Sequence, residues 1–150
     1  MHFYGCTQCD LDQGGRIKLP LWAQGAFSEI GKSEVMLYCL PEGCLAVFPL
    51  SQWQEYRQHP SQLNELQELA YRRHERLVGA RSFPGEVTSQ GRLQLPEHLM
   101  EIASLKQESV VVLVGAEKWF EIWSPERWEL ELEQLAPQGN PTAIELAISN

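Results

Sequence analysis

Gly15-Arg16-Ile17-Lys18-Leu19-Pro20 returns as Gly91-Arg92-Leu93-Gln94-Leu95-Pro96, an offset of 76 residues (15 to 91), and this recurrence decides the fold. At the same offset Val35-Met36-Leu37-Tyr38 faces Val111-Val112-Leu113-Val114. After a slip of one residue, Leu45-Ala46-Val47-Phe48 faces Phe120-Glu121-Ile122-Trp123, and Trp53 faces Trp128. Three blocks in one order mark a duplication. The repeat is too long and occurs too few times for a solenoid, so it reads as a small module of roughly 45 residues present twice.

Each copy has the same plan. A polar segment leads to a Gly-Arg turn and a short alternating strand, Ile17 with Leu19 or Leu93 with Leu95, stopped by Pro. A short helical stretch follows, clearer in the second copy as Glu97-His98-Leu99-Met100-Glu101-Ile102. Two apolar strands come next, 35–40 with 45–48 and 110–114 with 119–123, joined by Pro41-Glu42-Gly43-Cys44 and Gly115-Ala116-Glu117-Lys118, short enough for hairpins. Both copies then enter a helix. Ser51 with Gln54 three residues later predicts a capping box, and Ser124-Pro125-Glu126 supplies a cap, a first-turn Pro and an acid at the positive end. Between the copies, Leu63, Leu66, Ala70 and Leu77 fall at helical spacing, with Gly79 as the stop. The segmentation is a first module over 6–52, a helical connector over 53–81, a second module over 82–125, and a helix with an acidic, loose tail over 126–150. The fold class is α+β, mainly β.

The 150 residues suit one domain or two small modules. Hydrophobic residues are 43% and charged residues 21%, which excludes wholesale disorder. No run approaches the roughly 18 apolar residues a bilayer span requires. Met1-His2-Phe3-Tyr4-Gly5-Cys6 lacks a basic segment followed by an apolar run, so a cytoplasmic protein is expected. The net charge of -8 argues against a nonspecific basic coat for nucleic acid. Location matters more: Glu129, Glu131, Glu133 and Glu145 stand in 129–150 without Lys or Arg, while Arg72, Arg73, Arg76 and Arg81 cluster with Glu75 alone opposing.

Asp12-Gln13-Gly14-Gly15-Arg16 has the makings of a turn. The Asp12 carboxylate suits the backbone N–H groups that follow it, and Gly14 or Gly15 supplies a positive φ at no steric cost. The turn ends on an Arg, whose planar fork makes paired hydrogen bonds to phosphate or guanine. The plainer alternative is a solvent-facing Arg beside a hairpin; recurrence of Gly-Arg in both copies weighs against it. Five Trp and five Phe give apolar area for interfaces between copies, or simply fill the core.

These residues carry a family resemblance. Leu11-Asp12-Gln13-Gly14-Gly15-Arg16-Ile17-Lys18-Leu19-Pro20 resembles the first D-x-x-G-R motif of the MraZ family of bacterial transcriptional regulators. Cys44-Leu45-Ala46-Val47-Phe48-Pro49-Leu50-Ser51-Gln52-Trp53 is similar to that family's C-L-x-x-Y-P-x-x-x-W stretch, and Arg72-Arg73 through Leu77-Val78-Gly79-Ala80 to its R-R-x-x-R-L-x-x-G-A run. The likeness covers about residues 3–128. It implies two tandem AbrB-like (SpoVT/AbrB) swapped-hairpin β-modules, with short helices between and after them. It further implies a homo-oligomeric ring of roughly eight or more subunits. Such a ring binds double-stranded DNA at direct repeats upstream of the division and cell-wall gene cluster, as a nucleoid-associated regulator and most naturally a repressor. The DNA-contacting Arg of each motif maps to Arg16 and Arg92, with Lys18 beside the first and Asp12, Gly15 and Gly91 shaping the turns. The second copy departs from the pattern: Thr88 stands in the Asp position and Gln94 in that of Lys18. A Thr hydroxyl makes the local bond more weakly, so the first module is expected to read DNA better.

Other chemistry finds less support. Cys6, Cys9, Cys39 and Cys44 are four potential zinc ligands, but a spacing of three on an extended strand sends Cys6 and Cys9 to opposite faces. A reducing cytosol disfavours disulfides. His2, His59, His74 and His98 are scattered and read as surface or capping residues, and neither G-x-x-x-x-G-K-[ST] nor G-x-G-x-x-G occurs. No enzyme, metal or cofactor is expected. The arginines of 72–81 fit an exposed helix face or a subunit boundary, given Glu65, Glu68 and Glu75 in the same helix. The alternative to a DNA-binding regulator is a protein-binding assembly module, such as an AbrB-like antitoxin whose tail, 129–150, caps a basic partner.

Overall fold

The computed structural model describes residues 2–28, 33–58 and 60–135. His59 and the tail from residue 136 lie outside them. In chain order the elements are β1 (Cys6–Leu11), β2 (Arg16–Lys18), α1 (Leu21–Ser28), β3 (Glu34–Cys39), β4 (Leu45–Pro49), α2 (Leu50–Tyr56), α3 (Glu65–Ala80), β5 (Ser82–Glu86), β6 (Arg92–Gln94), α4 (Glu97–Ile102), β7 (Ser109–Gly115), β8 (Phe120–Trp123) and α5 (Pro125–Leu135). The architecture is mainly β with short helices, as the duplication suggests.

Eight strands form one antiparallel sheet in the order β5-β3-β4-β8-β7-β1-β2-β6. An isolated bridge from Val87 to Leu93 joins its two ends, so the sheet curls back on itself almost as a barrel. The hairpins are exchanged between the copies. β1 of the first copy pairs along β7 of the second, from Cys6 opposite Val114 to Leu11 opposite Ser109. In return β5 of the second copy pairs along β3 of the first, from Ser82 opposite Tyr38 to Glu86 opposite Glu34. Each half therefore completes the other's sheet, which is why a module too small to close a core alone is present twice. The exchange pivots on β2 and β6, where Arg16 faces Gln94, Ile17 faces Leu93 and Lys18 faces Arg92. Ile17 and Leu93 are one offset apart and face each other, so the pseudo-two-fold axis passes between them. Both are fully buried, each side chain worth about 1.5–3 kcal/mol of burial.

The apolar runs in β3 and β4 do not alternate with polar residues because both faces of these strands are covered. Val35, Leu37, Cys39, Leu45 and Val47 point into the barrel core with Leu113, Phe120 and Ile122. Tyr38, Ala46 and Phe48 point the other way, into an outer cluster with Val112 and Trp123 against Trp53 and Trp128 of α2 and α5.

Helix ends follow local chemistry with two corrections. Ser124 caps α5 as expected, its Oγ accepting the Arg127 N–H at 3.2 Å, with Pro125 in the first turn. The Ser51–Gln54 capping box does not form. β4 runs straight into α2, so Pro49 occupies the cap with its fixed φ of -54° and Ser51 already lies in the first turn. A capping box closes α3 instead: Asn64 Oδ1 accepts the Gln67 N–H at 2.9 Å, and Gln67 Oε1 accepts the Asn64 N–H at 3.0 Å. Gly79 does not stop α3, which continues to Ala80. The sheet captures the chain there, the Cys39 N–H donating to the Arg81 carbonyl at 3.0 Å. Nor does the Leu66, Ala70, Leu77 stripe face the protein. Leu66 is 81% and Leu77 48% exposed, while Tyr71, Glu75 and Val78 turn inward.

Candidate nucleic-acid interface

The two Gly-Arg turns are built alike, bond for bond. In the first, the Gly15 N–H donates to the Asp12 carbonyl at 3.1 Å and the Asp12 N–H to the Arg16 carbonyl at 3.0 Å. In the second, Gly91 N–H to Thr88 carbonyl and Thr88 N–H to Arg92 carbonyl are both 2.9 Å. Gly15 and Gly91 adopt φ values of 78° and 76°, the left-handed conformation that glycine takes without a Cβ penalty. Asp12 Oδ1 accepts the Arg16 N–H at 2.8 Å, and Thr88 Oγ1 accepts the Arg92 N–H at 3.1 Å. Thr88 thus makes the same bond, longer, as a neutral acceptor should.

Each turn is also braced from across the pseudo-two-fold axis. Gln94 Nε2 donates to the Gly14 carbonyl at 2.7 Å, and Lys18 Nζ donates to the Gln90 carbonyl. The Leu19 N–H reaches the Gly91 carbonyl and the Leu95 N–H the Gly15 carbonyl, both at 2.8 Å. Side chains alternate across a strand, so burying Ile17 and Leu93 sends Arg16, Lys18, Arg92 and Gln94 to the opposite, exposed face of the β2–β6 ribbon. Three cations thereby share one exposed face of the sheet at the β2–β6 pair, where they are open to phosphates and base edges.

The two ends of the ribbon differ in charge. Arg16 Nε lies 3.5 Å from Asp12 Oδ2, with Gln94 opposite. The Arg16 N–H held on it, with the Arg16 guanidinium behind, keeps the Asp12 carboxyl below the usual carboxylate range. At the other end Lys18 faces Arg92, and both bind Gln90. Lys18 takes the Gln90 backbone carbonyl, and Arg92 Nη1 donates to its amide oxygen at 2.6 Å. Gln90 and Gln94 carry no charge; sequence reasoning noted Gln94 only as the neutral counterpart of Lys18 and did not single out Gln90. Their signal was the offset itself, which matches Gln90 to Gly14 and Gln94 to Lys18.

The remaining candidates lie elsewhere. Cys6 is exposed and Cys9 half-buried on β1, while Cys39 and Cys44 are buried. Burial pushes the Cys39 thiol up to about 11 and raises that of Cys44 further. Among the described residues, no three His, Cys, Asp or Glu side chains converge as a metal site would require. His2 sits 3.8 Å from Glu117, His74 is exposed, and His98 meets Phe83 edge-on. Arg72, Arg73 and Arg76 stand exposed on α3, whereas Glu75 pairs with Arg57, which also lies over the Trp53 ring at 5.8 Å. No helix among the described residues is long and apolar enough to cross a membrane.

Residues 2–76 and 86–146 match the family model described as "MraZ protein, putative antitoxin-like". The chain belongs to the MraZ family. Its relatives include the transcriptional regulator MraZ of Thermomicrobium roseum, 33% identical over 97% of both chains. That of Marinomonas sp. is 33% identical over 91% of this chain and 89% of its own. That of Thermus thermophilus is 32% identical over 94% of this chain and 95% of its own. These MraZ proteins are named as regulators of transcription, not as enzymes. The two stretches matched by the MraZ model contain the two Gly-Arg turns, one in each.

Proposed function

We propose that this chain is a sequence-specific DNA-binding transcriptional regulator, a repressor, that reads direct repeats in the promoter of the division and cell-wall gene cluster. The observation that carries this reading is the ribbon: two turns of one design present Arg16, Lys18 and Arg92 on one exposed face over a buried Ile17–Leu93 base. Strand backbone and glycine turns fix the backbone beneath these side chains, so only the side chains themselves remain to be ordered at the moment of binding. Arg reads guanine edges by paired hydrogen bonds, and all three cations suit phosphates.

Three cations per chain bind DNA weakly, and the net charge of -8 opposes even that. The reading therefore includes a ring of roughly eight or more copies, which engages successive repeats and gains from local concentration. Two exposed helices support such an assembly. α3 offers Leu66 and Leu77 beside Arg72, Arg73 and Arg76, while α5 offers Leu130, Leu132 and Leu135 beside Glu126, Glu129 and Glu133. Opposite charge beside exposed leucines suits a head-to-tail contact between neighbours. The protein would act in the cytoplasm, on the nucleoid.

The test is a fluorescence-anisotropy titration with DNA from upstream of the protein's own gene, at two salt concentrations. Arg16→Ala and Arg92→Ala run beside the parent, each checked for unchanged oligomer size. Tight, salt-dependent binding that both substitutions weaken is expected. A parent that does not discriminate this DNA from a scrambled duplex sinks the proposal. A second reading, a protein-binding module of the antitoxin kind, draws on the acidic, partly apolar outer face of α5. A short toxin gene beside this one, with its product retained by the immobilised chain, would favour it.

A further inference from the structure

We infer that the ribbon is polarised: its Lys18–Arg92 end carries most of the electrostatic grip on DNA, and Asp12 holds the Arg16 end in reserve. The inference rests on the DNA-binding reading above and reverses the expectation that the first module is the stronger reader. Chain order suggested that Lys18 belongs with Arg16. The register places it opposite Arg92 instead.

The charges follow from that register. One end holds Arg92 and Lys18, with Gln90 and Thr88 as their neutral partners, and so bears two positive charges. The other holds Arg16 with Asp12 3.5 Å from its Nε and Gln94 opposite, and so sums to zero. Asp10 and Glu86, the exposed acids on the adjoining strands, are themselves one offset apart and so weight both ends equally. Like charges directly opposite one another across a strand pair repel. A phosphate placed between Lys18 and Arg92 removes that repulsion and releases counterions. At the Arg16 end an incoming phosphate must compete with the Asp12 carboxylate for the guanidinium.

The functional consequence is direction. A perfectly symmetric ribbon would bind a DNA segment equally well in either orientation. A ribbon whose ends differ by two charges favours one orientation, so identical subunits set down in sequence meet the same half of each repeat. Asp12, Thr88 and Lys18 are the residues that set this polarity, and Asp12 acts through Arg16 as a positioning residue.

The internal repeat supplies the substitutions. Asp12→Thr gives the first turn the acceptor already used by the second, Thr88→Asp does the reverse, and Lys18→Gln copies the Gln94 brace. Full-length variants are titrated by anisotropy against the same upstream DNA across a salt series, with circular dichroism and oligomer size as controls. Thr88→Asp and Lys18→Gln are expected to weaken binding about tenfold and to lower the salt slope by about one for each ribbon engaged. Asp12→Thr is expected to strengthen binding and raise the slope. Should Asp12→Thr fail to fold, the other two decide. Parent-like binding by Thr88→Asp and Lys18→Gln, or losses at Arg16→Ala equal to those at Arg92→Ala, would overturn polarity while leaving DNA binding intact. A parent without specific binding would overturn both.

Discussion

Replacing Gly91 by Ala tests whether the turn conformation, rather than the mere presence of Arg92, makes the site. Gly91 has φ of 76°, and a left-handed conformation costs an L-residue about 1–2 kcal/mol. An added Cβ would also lie 2.3 Å from Gln24 Cδ. Gln24 must then swing away, abandoning the hydrogen bond from its Nε2 to the Leu19 carbonyl, a loss of about 1 kcal/mol. The sum is about 2–3 kcal/mol, which lowers the melting temperature of a chain this size by roughly 5–10 °C. Gly15→Ala meets only Gln94 Nε2, Met100 Cε and the Leu95 carbonyl at 3.2–3.3 Å, and should cost nearer the conformational term alone, about 1–2 kcal/mol. Gly25 is exposed within α1 and a Cβ added there would meet none of the described atoms within 4 Å, so Gly25→Ala should stabilise by about 0.5–1 kcal/mol. Differential scanning calorimetry of the three variants at one protein concentration gives the order. If Gly91→Ala melts with Gly25→Ala, the account of the turn is wrong.

Three further outcomes are expected. Leu93→Ala, at the buried pivot of the exchange, should cost about 2–5 kcal/mol in chemical denaturation and weaken DNA binding as well, since it removes the base under Arg92. Thiol titration of the folded protein should label Cys6 first and leave Cys39 and Cys44 unmodified until denaturant is added, because burial holds both thiols protonated. The Asp12 carboxyl titrates lower in the folded chain than in the unfolded one. Its contribution is therefore complete above the unfolded value of about 3.9 and lost as pH falls through the folded one. Acid unfolding followed by circular dichroism should accordingly be shallower below about pH 4 in Asp12→Asn.

The sequence carried the duplication, which recurs at one offset, and the hairpin strands, both Gly-Arg turns and the Ser124 cap, which are written in neighbouring residues. What failed depended on distant ones. Ser51 looked like a cap until β4 delivered Pro49 to that position. Gly79 looked like a stop, but the sheet ended α3 by binding Arg81. Leu66 and Leu77 marked a helix by their spacing, yet they face outward, because periodicity cannot distinguish an inner from an outer apolar face. The Arg residues of the candidate site were legible as a motif. Their grouping was not, because Lys18 meets Arg92 only through a strand register that spans 74 residues of chain (18 to 92).

The measurement that bears most directly on the account is the affinity of the Arg16→Ala/Arg92→Ala double variant for the upstream duplex, at parental oligomer size and melting temperature. The account predicts that specific binding falls to the level of a scrambled duplex and that most of the salt dependence disappears with it. A double variant that still discriminates the upstream DNA from the scrambled duplex as the parent does would contradict it.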